Sequence, residues 1–323
     1  MQTQNPILCI TIPSYNRESH LKKLLESIIT QEGFDEDVSI VINDGPSTDN
    51  TTKMVAEFQQ KYNNISYTQN KKAVGMLPAI LESIQMWNGQ YTWLFGSDDF
   101  MHKDALKITL DIIKNNSPAL ILSNRTIFEN PKDLEIKDTQ EVKTLFFEGF
   151  SDFWTYLWMS EEEKYSDKQN YLTFMSVFCF DTQYYKESLQ YVNKSVCKIT
   201  DLEKHYFNYV VVLFSRLFVT KIICIIESPR LVFCQSGNTS RQRNNKINKD
   251  WKMLMDYIQD TYPISQNCKK LFRRIHLESF IFGNIVYRIQ KIWIFKNMIK
   301  FFMKNKAIRL LFMKTTKKIS GNK

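Results

Sequence analysis

Apolar and polar positions follow a strand-then-helix rhythm over the first 125 residues of the chain. Short continuous apolar runs are typical of strands that are covered on both faces of a sheet. Between these runs, apolar residues recur at helical spacing, and Asn16 is expected to cap the first helix. Four or five such units predict an α/β fold with a mostly parallel, doubly wound, Rossmann-like sheet. The predicted strands lie at 7–12, 38–43, 65–68, 91–95 and 119–123.

The rhythm fades in the second half of the chain. Strand patterns recur at 173–180 and 221–226 around a helical stretch at 201–217, so this half is predicted to be α+β. Residues 235–249 are polar and lack periodicity, which predicts a loop able to act as a lid. The remainder is predicted to be helical. The predicted parts are a first half at 1–125, a second half at 126–250 and a C-terminal tail at 251–323.

The net charge of +9 is concentrated at one end. Fifteen Lys and Arg and one acid lie in 269–323, so this segment carries +14 and the preceding 268 residues carry −5. Lys296, Lys300 and Lys304 share one helical face opposite an apolar face. We expect 269–318 to bind an anionic membrane surface, although a helix packed on the rest of the chain would show the same pattern. The acidic body argues against nucleic-acid binding.

Composition is that of a folded protein, with 43% hydrophobic and 24% charged residues. The six cysteines are widely spaced without a C-x-x-C pair, which predicts reduced thiols in the cytoplasm. The first residues lack the pattern of a signal peptide. The apolar stretch at 206–226 is interrupted by Arg216 and Lys221, so no membrane span is predicted there. We therefore expect a cytoplasmic protein that lies peripherally on the inner face of the bacterial membrane.

Polar residues follow three of the predicted strands. They occupy 13–17, 44–45 and 97–99. Because ligands bind at the carboxyl ends of strands in open α/β sheets, all three segments are expected to face one crevice. Capping and turn formation would explain Asn16 or Asp44 singly about as well as ligand binding does.

The adjacent carboxylates of Asp98 and Asp99 repel each other unless a cation or hydrogen-bond donors compensate them. Mn²⁺ or Mg²⁺ suits such a pair, because these ions take one or two carboxylates and complete their shell with water and phosphates. A solvated acidic turn before a helix is the alternative. The chain has no P-loop and no G-x-G-x-x-G after the first strand, which disfavours kinases, NTPases and nicotinamide dehydrogenases.

Three motifs, taken in order, resemble glycosyltransferase family 2. They read Ile-Pro-Ser-Tyr-Asn-Arg at 12–17, Asn-Asp-Gly-Pro-Ser-Thr-Asp-Asn at 43–50 and Asn-Gly-Gln-Tyr-Thr-Trp-Leu-Phe-Gly-Ser-Asp-Asp at 88–99. The resemblance covers about the first 125 residues. It implies the GT-A fold and an inverting, metal-dependent transfer of sugar from a nucleoside-diphosphate donor. The acceptor implied is a lipid-linked or surface glycan of O-antigen, capsule or lipooligosaccharide synthesis.

The resemblance also assigns roles to individual residues. Donor contacts fall on Pro13, Ser14, Tyr15, Asn16, Arg17, Asp44, Asn70, Gly75 and Asp98. Within this set, residues 13–15 and Asp44 would recognise the base and Arg17 would lie near the phosphates. Asp99 is the favoured metal ligand and Asp98 the second candidate, since Ser97 stands where the family commonly has an earlier acid.

Inverting transfer needs a general base, which the resemblance places near the start of a helix in the second half. Asp201 is the first candidate and Glu203 the second, although acids in a first helical turn also stabilise the helix without any catalytic role. Loss of the acid at position 97 leaves one alternative function open. The chain could be a non-catalytic nucleotide-sugar or glycan-binding homologue.

Overall fold

The structure is a computed structural model of the 323-residue chain. All of the residues it describes belong to the compact unit Met1–Ile264. They are 6–34, 37–72, 74, 76–86, 89–128, 141–149, 152–153, 156, 174–195, 210, 212–213, 215 and 221–235. All but the first residue of the predicted lid at 235–249, the whole predicted tail at 251–323 and most of the predicted helix at 201–217 lie outside this set.

Eleven strands and five α-helices are formed by the described residues. The strands are β1 (Leu8–Ser14), β2 (Val38–Asp44), β3 (Ile65–Gln69), β4 (Tyr91–Leu94), β5 (Phe100–Met101), β6 (Leu120–Ser123), β7 (Arg125–Phe128), β8 (Lys143–Phe147), β9 (Phe178–Asp181), β10 (Ile223–Ser228) and β11 (Val232–Gln235). The helices are α1 (Glu18–Ile29), α2 (Thr51–Gln59), α3 (Met76–Met86), α4 (Ala105–Asn116) and α5 (Thr182–Ser195), and a 3-10 turn spans Met175–Val177.

Eight strands form one sheet in the order β3-β2-β1-β4-β9-β6-β10-β8. The run from β3 to β4 is parallel throughout, and β6 is parallel to β10. Two strands run the other way, β9 between β4 and β6 and β8 at the edge beside β10. The predicted α/β fold, with a mostly parallel sheet and an α+β second half, is confirmed.

The strand order reverses at β1, because the chain moves outward to β2 and β3 and then returns to β4 on the other side. Such a reversal opens a crevice at the carboxyl ends of the central strands, which is where ligands bind in open α/β sheets. A small second sheet, in the order β5-β11-β7, follows the acidic turn. The polar motifs therefore lie where the topology makes room for a ligand.

The main core is built by the apolar strand β1 and the amphipathic helix α1. Leu8, Ile10 and Ile12 are fully buried on β1, and helix α1 buries Leu21, Leu24, Leu25 and Ile28. Each such side chain contributes roughly 1.5–3 kcal/mol when it is removed from water. The core thus anchors the strand whose last residues enter the crevice.

The expectation that Asn16 caps helix α1 is wrong. Helix α1 begins at Glu18, and Asn16 lies in the left-handed region at φ 52°. The amide oxygen of Asn16 instead accepts a hydrogen bond from the Thr48 N–H at 2.8 Å. The carboxylate of Asp49 accepts the Glu18 N–H at 3.1 Å, so the helix receives its acceptor from the loop after β2.

None of the helices in the described part of the chain is long and apolar enough to cross a membrane. The four cysteines described there, Cys9, Cys179, Cys224 and Cys234, are buried free thiols. This agrees with the prediction that they are reduced core residues.

Candidate active site

The loops after β1 and β2 are joined into one unit by hydrogen bonds. Ser14 lies beside Asp44 in the parallel register, and its carbonyl accepts the Gly45 N–H at 2.7 Å. The Asn16 N–H donates to the Ser47 hydroxyl at 2.8 Å, and Thr48 returns a hydrogen bond to the Asn16 side chain. The first two predicted motifs therefore form a single rigid wall of the crevice.

Asp44 ends β2 as a fully buried carboxylate. Ser47 donates to its Oδ1 at 2.8 Å, and the Tyr67 hydroxyl donates to its Oδ2 at 2.8 Å. Burial raises the pKa of Asp44, while the hydrogen bonds from Ser47 and Tyr67 act in the opposite direction. The pKa of Tyr67 is raised to about 12, chiefly by burial, so its hydroxyl stays a donor. The result is a carboxylate held in a fixed orientation at the carboxyl end of β2.

The ring of Tyr15 lies across the turn at Gly45 and is 52% exposed. A Cβ atom at Gly45 would come within 2.8 Å of the Tyr15 ring, so the close approach requires glycine. An exposed aromatic face beside a buried acceptor is suited to a planar ligand that also carries an N–H donor.

Asn70 ties the end of β3 to the same wall. Its N–H donates to the Asp44 carbonyl at 2.8 Å, and its side-chain amide donates to Asn43 at 2.6 Å. Asn43 in turn donates to Glu82 and to the Ala79 carbonyl on α3. These contacts give Asn70 a structural role, and its contact with a donor stays a prediction.

The acidic turn after β4 is held from behind by Ser176. The Gly96 N–H donates to the Ser176 hydroxyl at 2.8 Å, and the same hydroxyl donates a short hydrogen bond to Asp99 Oδ2. The Asp99 N–H also closes the turn on the Gly96 carbonyl at 3.1 Å. Asp99 is 7% exposed and Ser97 8% exposed, so the turn is packed rather than freely solvated.

Asp98 faces the opposite wall of the crevice. Its carboxylate lies 3.6 Å from the guanidinium of Arg17, and both side chains are more than a third exposed. This ion pair brings the loop after β1 and the turn after β4 together, as the strand-end argument predicts. An exposed pair of this kind stabilises a fold by only about 0–1 kcal/mol, so a ligand can replace it at little cost.

The acidic turn fits a divalent ion with few protein ligands. Asp99 Oδ2 and Asp98 Oδ1 both lie beside Gly96, 3.0 and 3.3 Å from where a Cβ on that residue would stand, so the two carboxylates are neighbours in space. Within the described residues, no three or more His, Cys, Asp or Glu side chains gather as a metal-binding group. Mg²⁺ and Mn²⁺ need only one or two carboxylates when water and phosphates complete their shell.

A buried cluster behind the turn was not predicted from the sequence. Arg125 is 4% exposed, and its guanidinium lies 3.5 Å from the ring centroid of Phe174. Burial, followed by the nearby charge of Asp99, raises the pKa of the Cys234 thiol well above its usual range. Sequence patterns gave no signal for these residues, because their contacts join β7, β11 and the segment before β9.

Three of the predicted site residues lie outside the described part of the chain. They are Gly75, Asp201 and Glu203. The remaining predicted positions, Pro13, Ser14, Tyr15, Asn16, Arg17, Asp44, Asn70, Asp98 and Asp99, all lie in the loops or strand ends around the crevice. The roles of all twelve in catalysis or binding stay predictions.

The strand order and the position of the acidic turn define a protein of the GT-A class. A family model described as "Glycosyl transferase family 2" matches residues 9–187, more than half of the chain. The chain belongs to this family. The predicted resemblance is thereby confirmed.

Individual relatives agree with this assignment. The abequosyltransferase RfbV of Salmonella typhimurium is 27% identical over 292 residues, which cover 84% of this chain and 80% of that protein. The structure of S. aureus TarS 1-349 in complex with UDP has a TM-score of 0.59 at 15% identity, covering 85% of this chain and 72% of that one. The mannosyltransferase PcManGT from Pyrobaculum calidifontis, in complex with GDP-Man and Mn²⁺, has a TM-score of 0.51 at 11% identity, covering 85% and 70%. The two structural likenesses show the fold.

Proposed function

We propose that this glycosyltransferase moves a sugar, with inversion, from a nucleoside-diphosphate donor to a lipid-linked or surface glycan. The observation that carries the proposal is the convergence of three strand ends on one crevice. Asp44 and Tyr15 form one side of it, and the Arg17–Asp98 pair joins that side to the acidic turn. The relative named as an abequosyltransferase and the UDP complex of TarS support a nucleotide-sugar donor.

In the proposed donor complex, the buried Asp44 carboxylate accepts an N–H from the base, and the ring of Tyr15 packs on the base. Arg17 leaves Asp98 and binds the diphosphate, where its charge stabilises the leaving group. Asp99 and Asp98 would hold Mn²⁺ or Mg²⁺, with Asp98 also close to the ribose. The ion would neutralise charge that develops on the leaving diphosphate.

The acceptor half of the proposal rests on the resemblance. Asp201 would take the proton of the acceptor hydroxyl, with Glu203 as the second candidate. The basic segment 269–318 would bind anionic lipid on the inner face of the bacterial membrane, which would bring a lipid-linked acceptor to the crevice. No nucleic acid takes part.

A donor screen tests the class of reaction. Nucleoside-diphosphate sugars would be added to the protein with Mn²⁺ present, and unfolding temperatures and sugar release would be measured. We expect one nucleotide to raise the unfolding temperature and one of its sugars to be transferred or hydrolysed. Specific binding without any turnover would favour the alternative, a non-catalytic homologue, which the serine at position 97 also suggests.

The substitution Asp99→Asn tests the acidic turn. It is nearly isosteric but removes the charge, so we expect transfer to be abolished while the fold is kept. Asp111→Asn is the matched control, because Asp111 is exposed on helix α4. Normal turnover in the Asp99 variant would exclude its assignment as the metal ligand.

A further inference from the structure

Ser176 lies behind the acidic turn although it is about 80 positions away in sequence. Strand β9 runs antiparallel beside β4, so the residues that precede β9 arrive at the carboxyl end of β4. Ser176 belongs to the 3-10 turn there and is fully buried. The indole N–H of Trp93 donates to its carbonyl at 2.8 Å, which fixes the backbone of the turn against the sheet.

Both hydrogen bonds described for the Ser176 hydroxyl are made with the acidic turn. It accepts the Gly96 N–H at 2.8 Å and donates its single proton to Asp99 Oδ2. A serine hydroxyl has a single proton to donate, so this hydrogen bond fixes the orientation of the accepting Asp99 oxygen. A hydrogen bond to a charged acceptor is about twice as strong as one between neutral groups.

A second donor faces the same carboxylate from β11. The Cys234 thiol is fully buried on β11 and lies within hydrogen-bonding reach of the Asp99 carboxylate. Asp99 is thus held by two side chains from different elements. Asp98, in contrast, meets only the exposed guanidinium of Arg17 among the contacts described above.

We propose that Ser176 is a positioning residue, which orients the Asp99 carboxylate for the divalent ion and the donor diphosphate. The inference rests on the proposed function. Carboxylates that bind metals are usually hydrogen-bonded in turn, and loss of such a partner typically weakens metal affinity or activity about 10–100-fold. Here the partner also holds the backbone of the turn through Gly96, so one hydroxyl sets both the turn and the carboxylate.

The test measures Mn²⁺ binding directly, by electron paramagnetic resonance titration of the protein with UDP present. Ser176→Ala is expected to weaken Mn²⁺ binding about 10–100-fold. Ser176→Thr keeps the hydroxyl and is expected to restore most of the affinity. Ser188→Ala, which removes another fully buried serine hydroxyl on helix α5, is the control and should leave Mn²⁺ binding unchanged.

Folding of each variant is checked by circular dichroism and thermal unfolding. If Ser176→Ala does not fold, Ser176→Cys carries the test, because the thiol fills similar space and donates only weakly. Unchanged Mn²⁺ affinity in the folded alanine or cysteine variant would overturn the inference alone. Equal weakening by alanine and threonine would also overturn it, since the hydroxyl would then not matter. Absence of Mn²⁺ binding by the unsubstituted protein, with UDP and with each other nucleoside diphosphate of the donor screen, would overturn both the proposed metal site and the inference.

Discussion

Replacing Gly96 with alanine perturbs the acidic turn without removing any functional group. The Cβ of the alanine would lie 3.0 Å from Asp99 Oδ2, 3.3 Å from Asp98 Oδ1 and 3.3 Å from the Ser176 hydroxyl. The backbone at Gly96 does not have a positive φ, so alanine adds no conformational strain of its own. Any effect of the substitution therefore comes from these three contacts.

The size of the effect follows from which neighbour can move. Contacts of 3.0–3.3 Å require shifts of a few tenths of an ångström. Asp98 is 39% exposed and can turn away at little cost, whereas Asp99 is held by Ser176. We expect a stability loss near the lower end of the roughly 1–3 kcal/mol that is typical of overpacking. A displacement of 1 Å at a reacting centre can lower the rate about 100-fold, so a smaller shift here should lower kcat/KM about tenfold.

The assay compares kcat/KM and the Mn²⁺ requirement of Gly96→Ala with two matched glycine variants. Gly149→Ala meets nothing within 4 Å and should behave as the unsubstituted protein. Gly89→Ala places a Cβ 2.9 Å from the Cys9 Cβ, at the other end of the sheet, and should lower stability while sparing the Mn²⁺ requirement. Unaltered kcat/KM in Gly96→Ala would refute the assignment of the acidic turn to the reaction.

Two further predictions concern the pH dependence of aspartates in the crevice wall. Burial raises the pKa of Asp44 above its ordinary value of 3.8. The stability that the protonated form contributes is therefore complete below pH 3.8 and is lost as pH rises through the higher pKa of the folded state. Urea unfolding from pH 4 to pH 7 should therefore show Asp44→Asn gaining stability relative to the unsubstituted protein as pH rises, and a constant difference would contradict this. Asp49 is exposed; slight desolvation acts to raise its pKa, but hydrogen bonds from Thr51 and Glu18 lower the pKa overall, so the stability it contributes is present above pH 3.8 and lost in acid. Asp49→Ala should cost about 1 kcal/mol near neutral pH, with the difference shrinking at low pH.

The parts of the fold that could be predicted are those in which local pattern and burial coincide. Strand β2 is buried at all seven positions, and its apolar residues Val38 and 40–42 make it recognisable as a strand in sequence. Strand β8 could not be predicted, because it is an antiparallel edge strand with exposed positions at Lys143 and Phe146. Helix α5 was missed for a related reason: the buried face includes Ser188 and Tyr184, whose polar atoms weaken the apolar stripe.

The residues of the candidate site also divide into those that sequence patterns predict and those that they do not. Asp44, Asp98 and Asp99 could be predicted because Asp44 ends a buried strand and the other two lie in the turn after one, and parallel strands bring their carboxyl ends to one edge. Ser176 and Cys234 could not be predicted. Ser176 precedes β9 and Cys234 lies in β11, both in the second half of the chain, and only the sheet order brings them to the acidic turn. The capping role expected for Asn16 failed because a partner in the next loop, Thr48, competes for its amide oxygen.

The two adjacent aspartates are stabilised by different means, and this difference bears on the proposed reaction. Asp99 is compensated by buried hydrogen bonds, which are costly to break because the groups left behind would be unpaired away from water. Asp98 is compensated by an exposed ion pair with Arg17, which solvent screens and a ligand can replace. A diphosphate that enters with its ion would draw Arg17 away and leave Asp98 in need of a new cation. Donor binding would then rearrange only the exposed half of the turn, while Ser176 keeps Asp99 where the ion must meet it.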